Sequence, residues 1–280
     1  MTNLIIDSNY LCYVNRFAFS KGLSYKGGRT EIIFGFLQHI CSLAQKYSTD
    51  KIFFCWDSKN SLRKKVYPSY KGTRRPDDRS DEDKDNDSVA FAQFDIIRDK
   101  VLPELGFKNI FIVDGHESDD LIAILVKQIG PKNIVVTNDS DMLQLLDYCN
   151  LYNVSKHQLT TKTEFVRNFK ITPEQWIEVK AIGGCKSDNI SGVPNVAEKT
   201  ALKYVKGILS EGKYLEAIKS NTRIIRRNRQ LVKLPFKELS LTIQENKLSP
   251  KMFVKVCEEY GFNSLLGSKT PRLFNGEKLG

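Results

Sequence analysis

Carboxylates placed at the ends of apolar runs constrain this chain more than any other feature. Between residues 117 and 141 an acidic group precedes an apolar stretch, and a turn at Gly130-Pro131 precedes a second apolar run that ends in further acids. This order predicts a helix followed by a strand, with acids at the start of the helix and after the strand. In a parallel α/β sheet these two places lie at one edge, where ligands bind.

The same arrangement recurs near the start of the chain, where one apolar run ends in Asp7 and another ends in Asp57. Strands that alternate with helices predict an α/β fold, in which a mostly parallel central sheet has helices on both faces. The predicted strands span residues 3–6, 51–56, 109–113, 134–137 and 151–154.

The acids on this predicted edge form a candidate cation site. One acid near a helix start is explained by the helix dipole, but acids after several separate strands are not. Gathered carboxylates repel one another unless a cation lies among them, and hard divalent cations take oxygen ligands. Two such ions can support phosphodiester hydrolysis. The candidate ligands are Asp7, Asp57, Glu117, Asp119, Asp139 and Asp141.

The charge distribution favours a polyanionic partner. The net charge is +10 at pH 7 although the candidate site is acidic, and excess positive charge around an acidic centre suits nucleic acid. A basic composition is also compatible with a role in solubility alone. Between residues 58 and 87 a basic and aromatic stretch is followed by an acidic run. An insertion of this length is typical of a functional lid or a disordered linker.

The second half of the chain predicts helices. We expect an α/β core over residues 1–160 and a helical part over residues 161–280, integrated in one unit. Residues 183–201 have the pattern of two short helices joined by a tight hairpin. The other predicted helices of this half span residues 173–182, 221–232 and 249–260.

Cysteine usage and the N-terminal residues predict a cytoplasmic, non-secreted protein. The six cysteines include no C-x-x-C pair, and the three histidines are isolated. This pattern favours reduced thiols over disulfides or structural zinc. The sequence has neither an apolar run of membrane-spanning length nor a signal peptide, so no membrane partner is expected.

Seven motifs, in this order, resemble those of the structure-specific 5′-nuclease family. That family includes flap endonucleases, phage 5′-3′ exonucleases and the 5′-nuclease domain of bacterial DNA polymerase I. Each motif alone has weak to moderate specificity, but the shared order over about residues 3–235 is highly specific. The motifs are Ile5-Ile6-Asp7, Trp56-Asp57, Tyr67–Arg74, Glu117–Asp120, Asp139–Asp141, Ser187–Pro194 and Asn228–Val232.

The resemblance implies a PIN-like 5′-nuclease fold whose acids bind two Mg²⁺ ions, for which Mn²⁺ can substitute. It adds Asp120 and Asp188 to the candidate ligands. Lys71 and Arg74 match basic residues that reach the scissile phosphate, so they are candidate catalytic residues. The resemblance also implies contacts with nucleic acid, including a base stacked on Tyr13. The candidate nucleic-acid-binding residues are Tyr13, Arg16, Arg63, Tyr70, Arg75, Lys199, Arg226 and Arg227.

Two further segments match family features. Residues 72–95 correspond to the flexible arch or clamp around the single-stranded 5′ end. Because the acids of this segment repel DNA phosphates, we expect it to be disordered without substrate or to face solvent. Residues 180–205 correspond to a helix-hairpin-helix-like motif that binds duplex DNA.

The implied activity is Mg²⁺-dependent hydrolysis of phosphodiesters during DNA replication and repair, leaving a 5′-phosphate and a 3′-hydroxyl. The expected partners are DNA with a 5′ flap, nick or free 5′ end, with RNA–DNA hybrid as a further substrate. We expect a monomer in a bacterial or phage-infected cell. The sequence contains no polymerase, so it is similar to the free-standing form.

Two positions depart from the family pattern. Cys185 stands where the family has an aspartate, and a neutral thiol is a poor ligand for Mg²⁺. Asn195-Val196-Ala197 replaces a Gly-x-Gly hairpin, which weakens the expectation of a monovalent cation there. Two alternatives therefore stay open: a DNA-structure-binding protein with a weakened second metal site, and a PIN-type ribonuclease. The long helical second half argues against the ribonuclease.

Overall fold

A central sheet organises the computed structural model, which describes residues 2–18, 23–73, 80–266 and 271–274. Each strand below is numbered in chain order. The strands are β1 (Asn3–Asp7), β2 (Ser24–Tyr25), β3 (Gly28–Arg29), β4 (Ile52–Cys55), β5 (Ile110–Phe111), β6 (Asn133–Val136), β7 (Asn150–Asn153), β8 (Gln158–Thr160), β9 (Gly184–Cys185) and β10 (Ile190–Ser191).

Within the described ranges the central sheet has six strands in the order β5-β4-β1-β6-β7-β8. All neighbours run parallel except β7 and β8. On β1, Ile5 pairs with Phe53 on one side and with Val135 on the other. Every residue of β1 is buried, as expected for a central strand covered on both faces. The predicted mostly parallel sheet is confirmed.

The helices cover both faces of this sheet, as predicted. Since side chains alternate along a strand, Leu4 and Ile6 pack into one core with the first two helices, whereas Ile5 packs into a second core with Leu121 and Trp176. The helices are α1 (Ser8–Ala18), α2 (Glu31–Tyr47), α3 (Arg63–Val66), α4 (Asp81–Ile96), α5 (Leu102–Glu104), α6 (Ser118–Gln128), α7 (Lys162–Phe169), α8 (Gln175–Gly183), α9 (Glu198–Val205), α10 (Lys213–Ser220), α11 (Thr222–Val232) and α12 (Pro250–Tyr260).

Helix α4 begins earlier than the apolar pattern indicates. The sequence predicts a helix from Val89, but the structure has it from Asp81, inside the acidic run. Ser80 caps this helix by accepting a hydrogen bond from the backbone N–H of Asp83 at 3.1 Å, and acids in a first turn complement the helix dipole. The side chains of residues 81–86 are exposed, so this part of the acidic run faces solvent.

The second half of the described chain is mainly helical, as predicted. Helices α8 and α9 are joined by a short antiparallel pairing of β9 with β10, in which Cys185 lies opposite Ile190. Of the helices in the described segments, none has the length and apolar composition needed to cross a membrane.

Candidate metal centre

Asp7 lies at the carboxyl end of the central strand, at the edge where the sequence places it. Its Oδ1 accepts a hydrogen bond from the backbone N–H of Tyr10 at 3.2 Å, and its Oδ2 accepts one from the hydroxyl of Thr137 at 2.9 Å. Burial, together with the nearby charge of Asp57, raises the pKa of Asp7 to about 7. The hydrogen bonds from Tyr10 and Thr137 therefore do not fully stabilise the negative charge of Asp7.

Asp57 follows β4 and is hydrogen-bonded to the first residue of α6. Its Oδ1 accepts a hydrogen bond from the backbone N–H of Ser118 at 2.8 Å, and its own N–H donates to Asn9 Oδ1 at 2.9 Å. The Ser118 hydroxyl also lies 3.4 Å from Asp7 Oδ1. Ser118, which was not among the predicted site residues, thus links two of the predicted ligands.

Asp119 lies in the first turn of α6 and is half-buried. Burial, with the neighbouring charges of Asp139 and Asp7, raises the pKa of Asp119 well above its usual range. Such a shift arises where several carboxylates share one site. Asp119 therefore faces the cluster formed by Asp7, Asp57 and Asp139.

Asp139 and Asp141 follow β6, but their surroundings differ. Asp139 is exposed, and its Oδ1 accepts a hydrogen bond from the backbone N–H of Asp141 at 2.8 Å. Asp141 is buried and forms an ion pair with Lys180, whose Nζ lies 2.8 Å from Asp141 Oδ1. Burial and the charge of Asp139 raise the pKa of Asp141 to about 6, although Lys180 opposes this.

Asp188 reaches the same edge from the loop between α8 and α9. A carboxylate oxygen of Asp188, one of Asp141 and the thiol sulfur of Cys185 lie within 4.8 Å of one another. Lys180, which no sequence pattern marked as a site residue, lies on α8, and Cys185 follows on β9. The structure therefore brings Asp7, Asp57, Asp119 and Asp139 into a carboxylate cluster. Asp141 and Asp188 form a mixed cluster with Cys185.

Lys71 and Tyr70 lie between these clusters. Lys71 Nζ is 3.0 Å from Glu117 Oε2, and the Lys71 backbone N–H donates to the carbonyl of Asp188 at 2.8 Å. Burial acts to lower the pKa of Lys71, but Glu117 and Asp188 outweigh it and raise the pKa. Tyr70 is buried and donates its hydroxyl to Glu117 Oε2 at 2.7 Å.

Asp120 and Arg63 form a buried ion pair, and Arg63 Nη1 also lies 3.4 Å from Glu117 Oε2. The Arg63 guanidinium donates to both carboxylate oxygens of Asp120 at 2.7 and 2.8 Å, and its Nε donates to the Leu231 carbonyl at 2.8 Å. Asp120 Oδ1 also accepts the backbone N–H of Phe236 at 2.7 Å. In this arrangement neither side chain is available for the ligand or DNA contact expected from the sequence.

Tyr13 and Arg16 lie against α4. The Tyr13 ring packs edge-on against Phe94, with 5.4 Å between the ring centroids, and Arg16 forms an ion pair of 2.6 Å with Asp87. Both side chains keep partial exposure. Arg74 and Arg75 lie outside the described residues.

The predicted DNA-binding residues of the helical part lie near the surface. Lys199 on α9 and Arg226 on α11 are exposed. Arg227 is half-buried, with its guanidinium carbon 4.5 Å from the centre of the Tyr67 ring, and it donates to the Ser191 carbonyl at 3.3 Å. These three basic side chains therefore lie on or near the helical hairpin.

The carboxylate cluster fits a divalent cation. Its donors are all oxygens, which suit Mg²⁺ and Mn²⁺. The raised pKa values of Asp7 and Asp119 indicate that the nearby cations do not neutralise these acids. A bound metal ion would supply the missing positive charge.

The amino-acid sequence is similar to those of known nucleases. The family described as 5′-3′ exonuclease, N-terminal resolvase-like domain, matches residues 2–170. The 5′-3′ exonuclease of Buchnera aphidicola subsp. Schizaphis graminum is 31% identical over 209 residues, which cover 72% of this chain and 69% of that protein. DNA polymerase I of Mycobacterium tuberculosis strain H37Rv is 32% identical over 258 residues, which cover 83% of this chain but 27% of the polymerase.

The fold is similar to those of solved nuclease structures. The T5 D15 protein co-crystallized with metal ions has a TM-score of 0.72 at 23% identity, covering 84% of this chain and 90% of that one. Flap endonuclease-1 from Methanococcus jannaschii has a TM-score of 0.63 at 14% identity, covering 98% and 92%.

A mostly parallel sheet with carboxylates at one edge, joined to a helical part, defines the fold of metal-dependent 5′-nucleases. The chain belongs to the 5′-3′ exonuclease family. The family predicted from the seven motifs is therefore confirmed.

Proposed function

We propose that this protein uses divalent cations to cleave DNA at 5′ flaps, nicks and free 5′ ends. The observation that supports this most directly is the convergence of Asp7, Asp57, Asp119 and Asp139 on one edge of the sheet, with the pKa of Asp7 raised to about 7. Among relatives of the same fold, the T5 D15 flap endonuclease has been crystallised with DNA and metal ions.

The carboxylates divide between two cation positions. Asp7, Asp57, Asp119 and Asp139 would hold one ion, with Glu117 close by, and Asp141 and Asp188 would contribute to a second. When bound, Mg²⁺ or Mn²⁺ makes water nucleophilic near neutral pH and neutralises the scissile phosphate. Ser118 and Thr137 orient the carboxylates of Asp57 and Asp7 through the hydrogen bonds described above.

Lys71 would bind the scissile phosphate. Its ammonium is held at this edge by Glu117, whose carboxylate is in turn oriented by the Tyr70 hydroxyl. A cation at this point offsets the charge that builds up on the phosphate oxygens in the transition state. Arg74 is proposed to bind the same phosphate.

The chemistry is an in-line displacement at phosphorus. A water oxygen bonds to phosphorus opposite the 3′ oxygen and loses a proton to solvent. The bond between phosphorus and the 3′ oxygen breaks, and that oxygen takes up a proton from solvent. The products are a 5′-phosphate and a 3′-hydroxyl. Duplex DNA beyond the cleaved bond would lie on the helical hairpin, where Lys199, Arg226 and Arg227 would contact phosphates.

Cleavage assays test this proposal. Purified protein is incubated with 5′-labelled flap, nicked and RNA–DNA substrates in Mg²⁺ or Mn²⁺. We expect products with a 3′-hydroxyl from the wild type and none from Asp7→Asn, whose folding is checked by circular dichroism. Full activity in Asp7→Asn would contradict the assignment. Flap binding without turnover in either metal would instead support the DNA-binding alternative.

A further inference from the structure

The loop after α8 brings a thiol into the second cation position. The side chains of Cys185, Asp141 and Asp188 are buried, and one ligand atom from each lies within 4.8 Å of the others. Among the residues that the structure describes, this is the one group of three metal-ligating side chains that approaches so closely. The thiol is free, and its sulfur lies 3.0 Å from the hydroxyl of Ser187.

Backbone packing fixes this loop. Gly184 has a φ of 77°, and a Cβ there would lie 2.5 Å from the Gly192 nitrogen and from the Ile190 carbonyl oxygen. A Cβ on Gly192 would lie 2.4 Å from the Gly183 carbonyl oxygen. Only glycine fits at both positions. Cys185 therefore lies between two backbone positions that the packing fixes.

The donor set of this cluster differs from that of the cluster around Asp7. Two carboxylates and a thiol offer carboxylate oxygens and one sulfur, and thiolate sulfur selects ions such as Zn²⁺ over Mg²⁺. Three protein ligands with a fourth position left for water or a phosphate oxygen is the arrangement of catalytic zinc sites. The ligand types therefore favour a thiophilic ion.

Lys180 increases this preference. Its ammonium lies 2.8 Å from Asp141 Oδ1 and 3.2 Å from the Ser140 hydroxyl, and it is buried. A metal ion at this position must displace the ammonium from Asp141 or accept its repulsion. Mg²⁺ would gain only carboxylate contacts in exchange, whereas a thiophilic ion also gains a bond to sulfur.

We propose that the second cation position of this chain binds a thiophilic divalent ion, of the class of Zn²⁺, Co²⁺ and Cd²⁺, in preference to Mg²⁺. The ligands are Asp141, Asp188 and the thiolate of Cys185. Binding forms a sulfur–metal bond and breaks the S–H bond, and the thiol proton goes to solvent. The proposal rests on the proposed nuclease function, because it concerns the second ion of the same centre.

Absorption spectroscopy tests the sulfur–metal bond directly. Metal-free protein is titrated with Co²⁺ or Cd²⁺, and the thiolate-to-metal charge-transfer band is followed in the ultraviolet. We expect a saturable band in the wild type that persists in Cys257→Ser and is lost in Cys185→Ser. Cys257 is a matched control because it is also buried and free, on α12. Absence of the band from the wild type, or its survival in Cys185→Ser, would overturn the proposal.

Competition between Zn²⁺ and Mg²⁺ measures the metal preference of the second cation position. Cys185→Asp removes the sulfur but keeps a ligand, so it should lower the ratio of Zn²⁺ to Mg²⁺ affinity at this position by at least about tenfold. Lys180→Gln should tighten binding of both ions. An unchanged ratio in Cys185→Asp would contradict the proposed role of the thiol. These measurements require no cleavage, so they separate this proposal from the nuclease assignment, which depends on the Asp7→Asn assay.

Discussion

Neighbours in space, not in sequence, decide what each acid in this protein can do. Asp119 and Asp120 are adjacent, yet Asp119 faces other carboxylates whereas Asp120 is bound by Arg63. Successive residues on a helix point about 100° apart, so the two acids have different surroundings. The sequence could not separate them, because Arg63 is distant along the chain and its pairing depends on the complete fold.

Removing Arg63 should destabilise the protein strongly. In Arg63→Met, Asp120 stays buried without its cation, which costs about 3–5 kcal/mol of the free energy of unfolding. Urea denaturation measures this loss. The matched control is Arg229→Met, which breaks the more exposed pair with Glu178 and should cost no more than about 1 kcal/mol. Equal losses in the two variants would contradict the structural role of the Arg63–Asp120 pair.

Lys71→Ala should lower the single-turnover cleavage rate by about 10²–10³-fold, because one donor to the developing phosphate charge is lost. Affinity for flap DNA should change much less, since other cations bind the backbone. Lys65→Ala is the control: this lysine belongs to the same basic stretch but is exposed on α3. A similar rate loss in both variants would show that the stretch acts only through its net charge.

Among the secondary-structure elements, buried strands were the most predictable. The predicted strands at residues 3–6, 51–56 and 134–137 match β1, β4 and β6 closely, because a strand covered on both faces is apolar at every position. The start of α4 and the strands β2, β3 and β8 were missed. Their side chains are mostly exposed, so they lack the apolar periodicity from which the other elements are predicted.

Contacts at the site between residues that are distant in the sequence could not be predicted either. Repeated acids after strands indicated the carboxylate edge, since the ends of parallel strands meet there. The ion pair between Lys180 and Asp141 joins α8 to the residues after β6. No local pattern encodes such a pair, because it depends on how α8 packs against the sheet.

The attachment of α4 to α1 predicts a measurable effect on DNA binding. Arg16 pairs with Asp87 at 2.6 Å, so Asp87→Asn should free Arg16 for phosphate and tighten binding of 5′ flaps by about two- to fivefold. Asp85→Asn removes the same charge from the exposed part of α4 and should have a smaller effect. Fluorescence anisotropy at low salt measures both, and the difference should shrink as salt rises. Equal effects would mean that net charge alone matters.

At the scale of the whole molecule, the sheet and the helical part share a hydrophobic core. Ile5 of β1 belongs to the same buried cluster as Trp176 of α8 and Ile225 of α11. The mixed cluster takes Asp141 from the sheet side and Cys185 from the helical side. A domain boundary near residue 160 stays a prediction, and a cut there would separate the ligands of one cation.

The metal centre should make stability depend on pH in a way that Mg²⁺ changes. In the metal-free protein the pKa of Asp7 is raised from 3.8 to about 7 and that of Asp141 to about 6. Between about pH 4 and pH 7 the folded state therefore binds more protons than the unfolded state, and the free energy of unfolding falls as pH rises. Above pH 7 these carboxylates are ionised in the folded state, and the resulting loss of stability is present.

Mg²⁺ binds the ionised carboxylates, so it restores the lost free energy of unfolding only at pH values at which they are ionised. The rise in Tm caused by Mg²⁺ should be small at about pH 5.5 and large at about pH 8, as measured by thermal denaturation with and without the ion. In Asp7→Asn the rise should be reduced at pH 8, because one of the titrating ligands is gone. If Mg²⁺ raised the Tm equally at both pH values, the carboxylates with raised pKa would not be its ligands.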